Sequence, residues 1–173
     1  WGVDFAFAVL IESSKTADLQ LRLVSGAVAA PTERFVKAES AVSGEFTTVD
    51  TLTGLEWKTC VQGRGGSDCT GTETLLDWSA ALTAAANEDY AGHADWRLPT
   101  ISELGSLRDF AAVASLPGNL NPPVIDSAAF PESSLGFAQY WSSTSDPLGP
   151  DLGLSYRYQT TLAQQSGFKT NQH

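Results

Sequence analysis

The chain has 173 residues, 42% hydrophobic and 17% charged, with twenty acids against ten bases and a net charge of -10. That composition describes a folded domain of ordinary size plus an extra piece, and it excludes a disordered tail. The acidic surplus disfavours nucleic acid, which is held through clustered Lys and Arg, and no apolar run approaches the ~18 residues that span a membrane.

The first piece is residues 1–27. Gly2-Val3-Asp4-Phe5-Ala6-Phe7 alternates apolar with small or polar residues, as a half-buried strand does. Gly153-Leu154-Ser155-Tyr156-Arg157-Tyr158 repeats the pattern near the other end, and a Lys-Thr pair follows each, at Lys15-Thr16 and Lys169-Thr170. The two stretches read as copies of one hairpin. Leu19, Leu21 and Leu23 then alternate with Gln20, Arg22 and Val24 in a further strand. Residues 1–27 are therefore expected to be the closing strands of a preceding domain copy, or strands donated to another subunit. Residues 28–33 are expected as a linker, and 34–173 as the main domain without its last strand. The sequence has no Met, so it is expected to begin after processing or partway through a longer protein.

In the main domain, Asp50-Thr51-Leu52-Thr53-Gly54-Leu55-Glu56-Trp57 predicts a turn bent at Thr53-Gly54 and then a strand. Cys60 and Cys69 are the only cysteines, and three glycines between them make the loop easy to close. A disulfide there implies an oxidising compartment; two free buried thiols are the alternative. Thr74 is expected to cap a helix with Asp77 three residues on, and Leu75, Trp78, Leu82, Ala85 and Ala86 supply its apolar face. Thr100 and Glu103 form a capping box for a second helix from Ile101 to about Phe110, with Leu104, Leu107 and Phe110 inward. Pro99 sharpens its start. Residues 111–139 carry four prolines and predict a long irregular loop. Tyr140-Trp141-Ser142-Ser143-Thr144 returns to strand, and the closing hairpin follows a loop over 145–151.

Asp95-Trp96-Arg97-Leu98-Pro99-Thr100-Ile101, with Glu103-Leu104, resembles the signature of the Lcl C-terminal domain family. The 50–57 block, the helix around Trp78 and the 140–144 strand agree in the same order. The resemblance spans about residues 34–158. It implies an α+β, C-type-lectin-like fold: a small twisted antiparallel sheet with two helices and long loops, in a secreted or surface-bound bacterial protein. It brings no agreed catalytic residues.

Catalysis needs a nucleophile with a base, paired carboxylates or a liganded metal, and nothing in the sequence marks such a group; no enzyme is expected. His93 reads as a surface or packing residue, and Gly63-Arg64-Gly65-Gly66 lacks the Lys-Ser/Thr ending of a phosphate loop. No cofactor is expected. Calcium is the open question, through the loop acids Asp126, Glu132, Asp146 and Asp151. Trp57, Trp78, Trp96 and Trp141 are read as core, and Arg97 as a brace on an acidic neighbour.

The leading expectation is a non-catalytic, extracellular structural or adhesive protein. A sheet lacking its last strand presents an open edge, and Leu19, Leu21 and Leu23 supply a strand of matching type. That strand would complete another subunit head-to-tail, fold back beside the strand at Arg34, or belong to a tandem array. The alternative is a lectin-like display module for a glycan or a surface protein, with Tyr156, Arg157, Tyr158 and Gln159 as exposed contacts.

Overall fold

The computed structural model describes residues 2–4, 9–11, 33–108, 125–131, 138–147, 149, 152–158 and 164–168. The chain divides into two compact units, Trp1–Thr32 and Glu33–His173. In the first, β1 (Gly2–Asp4) pairs antiparallel with β2 (Val9–Ile11), Val3 opposite Leu10. The strand expected at Leu19, Leu21 and Leu23 lies outside the described residues.

The second unit is α+β. One sheet runs β3 (Phe35–Glu39), β4 (Phe46–Asp50), β5 (Glu56–Lys58); another has the order β10 (Gln164–Phe168), β9 (Leu152–Tyr156), β8 (Tyr140–Ser145). All pairs are antiparallel. The β4–β5 turn falls where the sequence placed it: the Gly54 amide donates to the Asp50 carbonyl at 2.8 Å, and Gly54 takes a positive φ of 73° that suits glycine. A disulfide joins Cys60 to Cys69 and encloses the two-residue strand β6 (Arg64–Gly65), which pairs with β7 (Thr70–Gly71) just beyond the bridge.

Helix α1 spans Trp78–Ala86 and its cap is Asp77, whose carboxylate accepts from the Ala80 amide at 2.8 Å. The cap expected at Thr74 is corrected. The Thr74 amide is committed to the Gln62 carbonyl in the disulfide loop, so the chain there is still extended and Leu75, expected on the apolar face, is 87% exposed. Helix α2 (Ile101–Ser106) has the full capping box of Thr100 and Glu103.

The core collects Phe35, Leu104, Leu107, Ile125, Phe130, Tyr156 and Tyr158, with Trp57, Ile101 and Tyr140 packed against it. Phe35 meets Phe130 edge-on at 5.4 Å. The buried hydroxyls are matched: those of Thr48 and Thr59 lie 2.9 Å apart, and Ser142 donates to the Leu154 carbonyl. Gly153 lets α1 approach β9, since a Cβ there would stand 2.7 Å from Trp78 Cδ1.

Candidate functional site

The signature stretch is a joint between elements. Pro99 O accepts from the Ser143 amide, which fastens the extended piece beside β8, and the Ile101 amide donates to the Thr144 hydroxyl. Arg97 clasps Glu103 with two hydrogen bonds of 2.7 and 2.8 Å, while Glu103 also accepts from the Thr100 amide. Those contacts, the Arg97 bond first, hold the Glu103 carboxyl down at about 2 against an ordinary 4.5. The expected brace is therefore present, at the surface, with Arg97 57% exposed. Trp96 donates its indole N–H to the Tyr90 carbonyl at 2.9 Å, and its ring meets Tyr90 and His93 edge-on. His93 lies 3.6 Å from Glu56.

A cleft of about 1180 Å³ opens on the second unit, walled by Trp57, Trp96, Tyr140 and Trp141 with Ala81 and Ala85 of α1. Three ion pairs lie along its lining, Lys58 with Glu88 at 2.6 Å, Arg64 with Glu73 at 2.6 Å, and Arg97 with Glu103, and they leave Glu56 and Asp95 as an acidic surplus. Aromatic walls beside a mildly acidic lining suit an uncharged, ring-bearing or apolar occupant better than an anion. The Trp141 indole donates to Leu76 O and the Trp78 indole to Ser142 O. These two rings therefore anchor neighbouring elements as well as pack.

The strongest electrostatic feature was missed in the sequence. Asp50 is fully buried and receives both the Nε and the NH2 group of Arg34, at 3.1 and 2.8 Å; the same guanidinium donates to Ser106 O at the end of α2. Burial pushes the Asp50 carboxyl up, but the Arg34 pair and the Leu52 amide outweigh it and hold it below its ordinary value. The available signal was an aspartate opening an Asx-type turn, with its carboxylate on the amide two residues on.

β3 has an open side. The Arg34–Thr51 and Ser40–Glu45 backbone bonds flank its ladder with β4, so residues 34, 36, 38 and 40 turn their backbone groups toward β4. Phe35, Lys37 and Glu39 turn theirs away, and no described residue pairs with them.

The ligand surface expected at Tyr156, Arg157, Tyr158 and Gln159 is corrected at its two tyrosines, while Arg157 is half-buried. Tyr156 and Tyr158 are 8% and 5% exposed, and Tyr158 donates to the Leu104 carbonyl at 2.9 Å. Alternation put both rings on one face of the chain, and that face meets the core. Gln159 lies outside the described residues, as do Glu132 and Asp151 of the calcium set. Asp126 accepts from the Ala128 and Ala129 amides, and among the described residues no group of three or more metal-ligating side chains converges. Also among them, no helix is long and apolar enough to cross a membrane.

The family model described as the Lcl C-terminal domain matches residues 46–173, well over half of the chain. No curated protein and no solved structure matches.

Proposed function

The chain belongs to the Lcl C-terminal domain family, and from that membership we propose that it is a non-catalytic, extracellular structural or adhesive protein that assembles with copies of itself through strand or domain contacts. The scaffold is read as C-type-lectin-like. The observation that carries this reading is a pair of similar hairpins: β1–β2 and β9–β10 are both antiparallel ladders, and their leading strands share the alternation of Gly2–Phe7 and Gly153–Tyr158. Repetition of one supersecondary unit is the mark of a modular array. The Cys60–Cys69 bridge supports an oxidising location outside the cytoplasm. Light scattering across a concentration series tests the reading: mass should grow with concentration, with linear polymers by electron microscopy. A protein that stays monomeric throughout would overturn it.

The aromatic cleft favours a second reading, a module that binds a glycan or surface protein. On that reading, neutral oligosaccharides or a purified surface protein would quench tryptophan emission, and Trp141→Ala would abolish the response. The same titration with and without calcium tests whether a cation takes part.

A further inference from the structure

We infer that the outer edge of β3 is a strand-acceptor site whose occupant is the segment 19–24 of a second copy, a deepening of the assembly reading above. The edge offers three consecutive outward-facing residues, Phe35, Lys37 and Glu39, whose amides and carbonyls meet no described residue. A strand added there pairs with those groups. Val36 beside them is 41% exposed, although it sits in a strand. Bulges and prolines are lacking on this edge among the described residues, and its guards are the charges of Lys37, which donates to the Ser67 carbonyl, and Glu39.

The occupant follows from pattern and charge. Residues 19–24 read Leu-Gln-Leu-Arg-Leu-Val, so an added strand puts three leucines on one face. Beside β3, one leucine of that face meets Phe35, which is buried on Phe130, and the other two lie against the aliphatic stems of Lys37 and Glu39. Arg22 is the segment's only charge, whereas residues 33–39 contribute Glu33 and Glu39 against Lys37 once Arg34 is matched by Asp50, one negative charge in excess. The two edges are therefore complementary in sign.

The test uses the full chain in three forms. Lys37→Pro removes an outward N–H while leaving the β3–β4 ladder, which uses residues 36 and 38, so it should silence the acceptor and spare the fold. Leu21→Glu with Leu23→Glu silences the donor. By light scattering each variant alone should be monomeric, and a 1:1 mixture should form a dimer and nothing larger, since one donor and one acceptor survive. Lys37→Pro that polymerises as the parent does would overturn the acceptor while leaving the assembly reading intact, provided the leucine variant is monomeric. Leucine variants that still polymerise would overturn the donor. A monomeric parent would sink both readings; protected amides at positions 35, 37 and 39 in that monomer would show the strand folding back within its own chain. Should Lys37→Pro lose its thermal transition, Leu21→Pro and amide exchange at those three positions decide the same point. Protection that rises with parent concentration and is lost in Leu21→Pro supports the site; protection absent from the assembled parent overturns it.

Discussion

Asp50 keeps a full negative charge in the interior because Arg34 brings two hydrogen bonds to it and the Leu52 amide a third. Removing one partner strands the other, so Asp50→Ala should cost about 3 kcal/mol or more in urea unfolding. Arg34→Met, which removes the cation and leaves the buried carboxylate, should cost at least as much. Glu103 gives a pH-dependent counterpart. Its carboxyl is held at about 2 in the fold against 4.5 ordinarily, so its contribution is complete above about pH 4.5 and is lost as pH falls from there toward 2. The pair is partly exposed, which limits the effect to ~1 kcal/mol or less. Glu103→Gln should flatten that part of the acid unfolding curve, and salt should weaken it. At Gly153 the constraint is space: valine there should force the Trp78 ring aside and cost ~1–3 kcal/mol.

At the level of elements, the disulfide encloses a short loop, and its loss on reduction should lower stability by ~3 kcal/mol. A thermal melt with and without reductant measures this. Much of the local structure was legible in the sequence because its cause is local. The capping box at Thr100 and Glu103, the Gly54 turn and the strand at Tyr140 each follow from residues within four positions of one another. The first helix cap was misplaced because Thr74 and Asp77 are both good caps; the choice was made by a distant bond from Thr74 to Gln62. Tyr156 and Tyr158 were placed outside for a similar reason. Alternation shows that two rings share a face, but which face turns inward depends on Leu104, about fifty positions away. The Arg34–Asp50 pair and the aromatic cleft needed the fold, since they join residues from separate elements.

For the molecule as a whole, the unit Glu33–His173 holds the described core, so its unfolding sets the major transition. Calorimetry at rising concentration should then show the major transition move upward, as association with a second copy stabilises by mass action. The family-model match begins at Phe46, yet Phe35 is already buried and half-buried Arg34 already holds Asp50. A recombinant piece cut at the start of the likeness would keep Asp50 and lose the guanidinium that neutralises it, and would also bare the flank of Phe130. The independently folding module therefore starts at least a dozen positions before that match, where the sequence patterning already drew it, and excised versions should begin no later than Glu33.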